Sequence, residues 1–292
     1  MDIVITYVDG NDPVWKKDYE KYTNVPVMEK RFRDWGTMKY LLRGIETKMP
    51  FIRNVYLVVS HESQVPEWAD RNNLKIVLHK DIIPEECLPT FNANPIEIHL
   101  HNIEGLDEEY LFFNDDMYPV GDCKPTDFFY EGKPAIGFTK HLLTFGMYKK
   151  ICLNSDRLAR KALGMKSSPF FLRPQHICSP MLKSECKEVY DRMKQQIVSS
   201  LTTVREAKNC NQYLYLDYML YKGTALNRKI SKKHFSVATA GADKICSFIK
   251  NPTRCLCCIN DVHLSEDKFE EMRDRILSAF EEVFPDKSRF EK

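Results

Sequence analysis

Residues 110–116 read Tyr-Leu-Phe-Phe-Asn-Asp-Asp, four apolar residues followed at once by three polar ones. The apolar run predicts a buried strand, and the polar group marks its carboxyl end. Similar short runs occur at 2–8 (DIVITYV), 54–60 (NVYLVVS) and 75–79 (KIVLH). Helical patterns separate these runs, and strands that alternate with helices are typical of a parallel sheet covered by helices. The sequence therefore predicts an α/β fold.

The intervening helices are read from apolar spacing and from residues that start or stop a helix. Met38, Leu41, Leu42 and Ile45 form one apolar stripe, with Asp34 predicted as the N-cap and Pro50 as the stop. We also predict a helix start at residues 66–68 (Pro-Glu-Trp). A further helix is predicted from the apolar residues at 96, 100 and 103, with Gly105 as its end.

The second half of the chain differs in pattern from the first. Residues 155–223 read as mainly helical, with helices predicted at 184–200 and 211–221, after a further strand at 135–138. A short apolar run at 255–259 (CLCCI) predicts another strand, and Ser265 is the predicted N-cap of a terminal helix. We expect a single catalytic domain over 1–292. Its predicted parts are an α/β core (1–150), a mainly helical insertion (151–235), and a return to the core (236–292).

Composition limits the functional class. The 292 residues carry 43 Lys and Arg against 41 Asp and Glu, a net charge of +2, which argues against broad affinity for nucleic acids. No apolar stretch approaches the ~18 residues of a membrane span, and residues 1–9 do not have the pattern of a signal peptide. We expect a cytoplasmic protein.

The ten cysteines are scattered, which fits a reducing compartment better than a disulfide framework. Cys255, Cys257 and Cys258 form a compact group that, with His263, could bind zinc. Buried thiols on a strand are the simpler interpretation, and we favour it.

Acidic residues follow several predicted strands, where ligands gather in parallel sheets. Asn114, Asp115 and Asp116 could hold Mg²⁺ or Mn²⁺ for a pyrophosphate substrate, or form a turn with an Asx cap. Residues 9–13 (Asp-Gly-Asn-Asp-Pro) could bind a ligand, or form a glycine turn with Asx caps. A third carboxylate, Asp261, follows the strand predicted at 255–259.

Other polar residues also have two interpretations. Arg31 and Arg33 suit phosphate oxygens or a solvated face. Asn92 and Asn94, just before a helix, could hold a phosphate or sugar hydroxyl, or cap the helix. His176 in a loop is a candidate catalytic residue or a structural histidine. The basic run 228–234 could meet a membrane surface or an anionic glycan, or be a solvated face.

Taken together, these segments resemble the Stealth family of sugar-1-phosphate transferases, which includes bacterial capsule and exopolysaccharide phosphotransferases and the eukaryotic GlcNAc-1-phosphotransferase. The long matching segments are Tyr7 to Trp15, Arg31 to Asp34, Leu41 to Glu46, Pro50 to Ser60, Pro66 to Trp68, Leu88 to Asn92, Ile96 to Ile103 and Phe113 to Met117. Shorter matches surround His176 and Pro180 and include residues 258–261 (Cys-Ile-Asn-Asp). We expect a compact bacterial member.

The resemblance implies a GT-A-like, Rossmann-like sheet that binds a nucleotide sugar. It implies transfer of a hexose-1-phosphate from a UDP-sugar to a glycan hydroxyl, with release of UMP, in capsular or extracellular polysaccharide biosynthesis. By position, Asp116 and Asp261 match the family's metal-associated carboxylates, His176 its motif histidine and Arg205 its late arginine. Mg²⁺ or Mn²⁺ is the implied cofactor, with Asp115 as a further ligand. The implied acceptor is a glycan on a lipid carrier, which suggests peripheral contact with the inner face of the membrane.

The implied roles can be stated residue by residue. Arg31, Arg33 and Arg205 would stabilise the oxygens of the transferring phosphoryl group, and His176 would take the acceptor proton. Alternatively, His176 binds phosphate and a carboxylate is the base. The remaining residues predicted to hold the donor are Tyr7, Asp9, Asn11, Asp12, Asn92 and Asn114, and Asp9 is also a catalytic candidate. The alternative functions are a metal-dependent GT-A glycosyltransferase that releases UDP and a metal-dependent phosphodiesterase.

Overall fold

A five-stranded sheet lies at the centre of the structure, a computed structural model that describes residues 1–262 and 264–292. The strands are β1 (Asp2–Thr6), β2 (Val55–Val59), β3 (Leu74–Leu78), β4 (Glu109–Asn114), β5 (Met117–Pro119), β6 (Phe129–Tyr130), β7 (Lys133–Ile136), β8 (Phe138–His141), β9 (Phe171–Pro174), β10 (Ser179–Leu182), β11 (Leu226–Asn227), β12 (Lys232–Ser236) and β13 (Leu256–Asn260). The central sheet has the order β10-β4-β1-β2-β3. Its first four strands in the chain are parallel, and β10 is antiparallel to β4. The predicted α/β fold with a mostly parallel sheet is confirmed.

Helices cover the sheet and connect its strands. They are α1 (Pro13–Tyr22), α2 (Glu29–Phe32), α3 (Met38–Lys48), α4 (His79–Ile82), α5 (Ala93–His99), α6 (Gly146–Ala162), α7 (Lys183–Ser200), α8 (Tyr213–Lys222), α9 (Val237–Ala240), α10 (Ala242–Lys250) and α11 (Glu266–Val283). The predicted stripe on α3 is buried in the core, with Leu41, Leu42 and Ile45 fully inaccessible. Gly44 of α3 allows a close approach to β5, because a Cβ there would lie 2.5 Å from the Pro119 carbonyl oxygen.

Three predictions about helices in the first half need correction. Asp34 is not the N-cap of α3, because its carboxylate accepts a hydrogen bond from the Gly36 amide and the helix begins only after Thr37. Residues 66–68 form a turn and not the predicted helix. The chain then continues into a β-bridge at Ala69. The helix predicted up to Gly105 ends as α5, and a short 3₁₀ segment follows it.

The segment from 151 to 235 contains long helices and several short strands. The predicted helices at 184–200 and 211–221 correspond to α7 and α8, and Gly223 ends α8 in a left-handed conformation. The strand β10 lies in the central sheet, so this segment contributes to the core. The division of the chain at residues 150 and 235 stays a prediction.

A second sheet joins the end of the chain to the site region. It has the order β12-β13-β5, and β13 runs antiparallel to β5. The Ile259 amide donates to the Asp116 carbonyl at 2.9 Å, which fixes the end of β13 beside the turn after β4. The predicted strand at 255–259 and the predicted terminal helix with Ser265 as its N-cap are confirmed.

All ten cysteines are free thiols. Cys257 and Cys258 are buried on β13, as the simpler interpretation of this group predicted. His263, the fourth ligand of the zinc alternative, lies outside the described residues. In the described ranges, no helix has the length and apolar character needed to cross a bilayer.

Candidate active site

A cavity of about 410 Å³ opens at the carboxyl edge of the central sheet, where β1 and β4 end. Segments that are far apart in the sequence form its wall. The residues predicted for the site that line it are Tyr7, Arg31, Arg33, Asn92, Asn114, Asp115, Asp116, His176, Arg205 and Asp261. The edge of the sheet predicted from the strand pattern is therefore the edge where these side chains meet.

Two adjacent carboxylates follow β4. Burial raises the pKa of Asp115 to about 8, and the charges of Asp116 and Asp34 add to this effect. Burial also raises the pKa of Asp116 to about 6, although the Cys258 thiol and the Lys232 ammonium oppose the rise. Desolvation and mutual repulsion make the charged forms of two adjacent carboxylates unfavourable. A cation bound nearby would stabilise those charged forms.

A cluster of potential ligand atoms among the described residues consists of Asp116, His176 and Cys258. One ligand atom from each residue lies within 4.8 Å of the others. The Cys258 thiol donates to Asp116 Oδ2 at 3.4 Å. Burial lowers the pKa of His176 to about 4, and its interactions with Lys232, His234 and Arg173 act in the same direction. The imidazole is therefore neutral at physiological pH and has a lone pair available for a metal or a proton.

These side chains fit a divalent cation. Asp116 Oδ1 is buried and has no hydrogen-bond partner among the described residues, as expected for an oxygen that awaits a ligand. A carboxylate together with an imidazole and a thiol is a softer donor set than the oxygen ligands that Mg²⁺ and Mn²⁺ usually take, so the carboxylate is the ligand that suits either ion best. The cluster found among the described residues does not contain Asp115 or Asp261.

Asp261 lies on the same cavity wall and has protein partners there. The Trp35 indole N–H donates to its Oδ2 at 3.1 Å, and Arg33 Nε lies 4.0 Å from the same oxygen. Arg33 also stacks on the ring of Phe269, with its guanidinium carbon 4.2 Å from the ring centroid. Arg33 and Asp261 therefore bring α11 and the end of β13 against the cavity.

Two other arginines provide positive charge to the cavity. Burial lowers the pKa of Arg31, and the charge of Arg205 lowers it further. Arg205 also acts on Glu97. Burial raises the pKa of Glu97, and the positive charge of Arg205 opposes that rise. Two guanidinium groups that repel each other within one cavity are well suited to share an anion such as a phosphate group.

The loop that carries Arg205 is fixed by buried amides. Asn209, fully inaccessible, accepts hydrogen bonds from Asn92 Nδ2 at 2.9 Å and Asn94 Nδ2 at 3.2 Å. Asn92 also caps α5, since its side chain accepts from the Asn94 amide at 3.1 Å. Of the two interpretations of Asn92, helix capping is therefore confirmed, and Asn92 additionally joins α5 to the Arg205 loop.

The first strand end contributes less than predicted. The described residues that line the cavity include Tyr7 but not Asp9, Asn11 or Asp12. Asp12 caps α1, accepting from the Trp15 amide at 2.7 Å, and Asp9 accepts from the Asn11 amide at 2.8 Å. These are the Asx caps of the simpler interpretation, and a role for the three residues in donor binding stays a prediction.

Some residues around His176 could not be found from the sequence. Lys232 Nζ donates to the His176 carbonyl at 2.7 Å, and Cys258 reaches Asp116 from β13. Lys232 belongs to the basic run 228–234, which was expected on a surface but folds partly into β12 beside the cavity. The pairing of β5, β13 and β12 brings Lys232 and Cys258 to the site. This pairing joins segments that are far apart in the sequence, so no local pattern predicts it.

Two sets of known proteins resemble this chain. In overall structure, it resembles the galactosyltransferase LgtC in complex with donor and acceptor sugar analogues, with a TM-score of 0.41, 10% identity, and coverage of 95% of this chain and 96% of LgtC. In sequence, a family model described as Stealth protein CR2, conserved region 2, matches residues 31–136.

Curated relatives align over the full length. The capsular polysaccharide phosphotransferase WcwK of Streptococcus pneumoniae is 33% identical over 100% of this chain and 99% of the relative. The receptor polysaccharide phosphotransferase WefC of Streptococcus oralis is 32% identical over 100% and 99%. Because these alignments span both proteins at more than 30% identity and the family model matches residues 31–136, the chain belongs to the Stealth family.

Proposed function

We propose that this protein is a phosphotransferase that moves a hexose-1-phosphate from a UDP-sugar to a glycan hydroxyl in the synthesis of a capsular or extracellular polysaccharide. A phosphodiester forms between the sugar phosphate and the acceptor oxygen, the pyrophosphate bond breaks, and UMP leaves. The names of the full-length relatives support transfer of a phosphate-containing group to a polysaccharide. The UDP-sugar and the UMP product are our proposal.

One observation carries this proposal. A single cavity holds a half-buried carboxylate with a raised pKa, a neutral imidazole and two guanidinium groups, from Asp116, His176, Arg31 and Arg205. Phosphoryl transfer depends mainly on charge neutralisation and on positioning of the attacking oxygen. The four side chains of this cavity together offer charge neutralisation and positioning of the attacking oxygen.

We propose that a divalent cation binds at Asp116, with Cys258 and His176 beside it and with Asp115 and Asp261 as further candidates. When bound, Mn²⁺ or Mg²⁺ would neutralise charge on the pyrophosphate. Arg31 and Arg205 would contact the oxygens of the transferring group, where guanidinium groups hold developing charge. Arg33 is paired with Asp261 and would support that carboxylate.

His176 is the proposed general base. Its lowered pKa, about 4, leaves it unprotonated at neutral pH and able to accept the acceptor's hydroxyl proton. The alternative that His176 acts only as a ligand predicts a different result. Loss of His176 would then weaken metal binding, whereas loss of a base would leave metal binding intact and remove turnover.

The leaving nucleotide tests the proposal directly. The purified chain is incubated with UDP-sugars, Mn²⁺ or Mg²⁺ and a glycan acceptor, and the nucleotide is identified while phosphorus NMR characterises the product. UMP and a new phosphodiester support the proposal, whereas UDP indicates glycosyl transfer. Free sugar phosphate formed without acceptor indicates a phosphodiesterase. We expect Asp116→Ala and His176→Ala to abolish transfer without loss of the fold, while the exposed Asp122→Ala retains activity.

The acceptor and the location complete the proposal. We propose a cytoplasmic enzyme whose acceptor glycan is attached to a lipid carrier at the inner face of the membrane. Comparison of turnover on a lipid-linked oligosaccharide with turnover on the same oligosaccharide free in solution tests this part. Equal catalytic efficiency on both acceptors would contradict it.

A further inference from the structure

An apolar tip projects from the structure at the end of β8. We define the tip as Leu142, Leu143, Phe145, Met147 and Phe170. Leu142 is 53% exposed, Leu143 57% and Phe145 76%, the highest value among the large apolar side chains of the described residues. The strands β8 and β9 are antiparallel and His141 pairs with Phe171, so Leu142 and Phe170 both lie just beyond the same end of this strand pair.

The base of the tip is well fixed. Lys140 Nζ lies 4.5 Å from the centroid of the Phe170 ring. Tyr148, at the start of α6, shares a hydrogen bond of 2.7 Å with the buried Tyr213 hydroxyl and stacks against Arg173 at 5.1 Å. The exposed leucines and Phe145 therefore lie beside an anchored pair of strands and the start of α6, and exposed apolar side chains of this kind mark interaction sites.

The segment that carries the tip is strongly basic. Residues 138–176 contain eight lysines and arginines but only one acidic residue, Asp156. Asp156 is buried and paired with Arg160 at 2.8 Å, so it offers no negative charge at the surface. Lys140, Lys149 and Lys150 lie next to the tip in the sequence. The partner that fits this surface combines an apolar interior with an anionic exterior.

We propose that the tip docks on an anionic lipid bilayer, with Leu142, Leu143 and Phe145 inserted at the level of the headgroups and the lysines on the lipid phosphates. Apolar side chains surrounded by lysines are the pattern of proteins that bind at the membrane interface. A second copy of the chain would bring the same positive charges together, and an acidic protein would leave the protruding apolar side chains unexplained.

The position of the tip relates it to the cavity. The strand β9 runs from the tip towards His176, which lies six residues after Phe170, at most about 20 Å of extended chain. Docking would therefore hold the cavity close to the lipid surface. The docking deepens the proposed function, since it would bring the enzyme to a lipid-linked acceptor, but it can be measured without any substrate.

The test is co-sedimentation of the purified chain with vesicles. One set is phosphatidylcholine alone, and the other contains about 30% phosphatidylglycerol. We expect binding to the anionic vesicles that weakens as salt is raised. Leu143→Ser with Phe145→Ser should reduce the partition coefficient at least about tenfold. Lys149→Gln with Lys150→Gln should reduce it by roughly tenfold or more at low salt.

A matched control removes exposed apolar groups elsewhere. Val25 and Val27 are 45% and 40% exposed on the loop before α2, and Val25→Ser with Val27→Ser should leave vesicle binding unchanged. Circular dichroism melts confirm that each variant is folded. No binding of the wild-type chain to anionic vesicles, or equal binding by the Leu143/Phe145 variant, would overturn the proposal. The proposal would also be overturned if the wild-type chain formed a dimer and the Leu143/Phe145 variant did not.

Failure of the docking and failure of the proposed function give different results. If vesicles do not bind but UMP is released, only the docking proposal is wrong. If vesicles bind as expected but no UMP forms from any UDP-sugar, the docking stands and the chemistry must be revised.

Discussion

Asn209→Ala tests whether buried amides hold the Arg205 loop in place. The Asn209 side chain is fully inaccessible and takes part in five hydrogen bonds. Its oxygen accepts from Asn92, Asn94 and the Glu206 amide. Its amide nitrogen donates to the Ser200 carbonyl at 2.6 Å and to the Thr202 hydroxyl at 2.8 Å. Alanine removes all five and leaves buried polar groups without partners.

The size of the effect follows from these bonds. A typical hydrogen bond contributes about 1 kcal/mol net, and a buried group left without a partner costs about 1–3 kcal/mol. Because water and small shifts recover part of this loss, we expect the free energy of unfolding to fall by about 3–5 kcal/mol. Asn154→Ala is a graded comparison, since it removes two hydrogen bonds, which Asn154 Nδ2 donates to the Ala207 and Asn209 carbonyls of the same loop. Its expected loss is about 1–2 kcal/mol.

Urea unfolding measures both losses, and hydrogen exchange of residues 200–210 measures the local effect. We expect exchange in this segment to speed up in Asn154→Ala while the α3 amides stay protected, because the change is confined to the loop. Binding of a UDP-sugar should weaken in step, since Arg205 loses its fixed position. A loss below about 1 kcal/mol in Asn209→Ala, with unchanged exchange, would refute the reasoning.

Three further predictions concern other parts of the molecule. Gly44→Ala should destabilise the protein by about 1–3 kcal/mol in urea unfolding despite the better helix propensity of alanine, because its Cβ would meet the Pro119 carbonyl oxygen at 2.5 Å. Burial lowers the pKa of His101 from 6.5 to about 4. Between these two pKa values the unfolded chain binds a proton that the folded chain does not, so acid destabilises the fold. At about pH 5 this effect amounts to about 2 kcal/mol, and it is absent well above pH 6.5. His101→Phe should remove it. Arg205→Gln should raise the dissociation constant of a UDP-sugar in calorimetry about tenfold or more, whereas the neighbouring, exposed Lys208→Gln should not.

Local patterns predicted the parallel part of the sheet well. The apolar runs that became β1, β2 and β4 are almost fully buried, so the continuous hydrophobic pattern of a covered parallel strand was present in each. The strand β3 is only partly buried, with Leu74 and Val77 in the core and Lys75 exposed. The strand β10 was missed, because Ser179–Leu182 is short and begins with a serine and a proline. Its place in the sheet comes from antiparallel pairing with β4, an interaction of residues about 70 positions apart.

The candidate site was predictable in part for a similar reason. Asp116 could be placed at the ligand-binding edge of the sheet because it directly follows β4. The alternation of strands and helices predicts that β4 is parallel to its neighbours, which fixes the edge at which it ends. The neighbours of Asp116 could not be placed by spacing, since Cys258 approaches through the second sheet and His176 through the loop after β9. The resemblance to a family supplied His176 and Arg205, whose own surroundings in the sequence are not distinctive.

A physical criterion separates the polar residues that line the cavity from those that do not. Asp9 and Asp12 have their main hydrogen-bond partners within three residues, so their side chains are satisfied by the local turn and helix cap. Asp116 is half-buried, its Oδ1 is fully covered, its pKa is raised, and its protein partner lies 142 residues away. Such a group costs stability in the folded chain, and a ligand would offset that cost. Buried polar groups that their own segment cannot satisfy are therefore stronger candidates for function than acidic motifs in turns, and by this criterion Asp116 is a better target for mutation than Asp9.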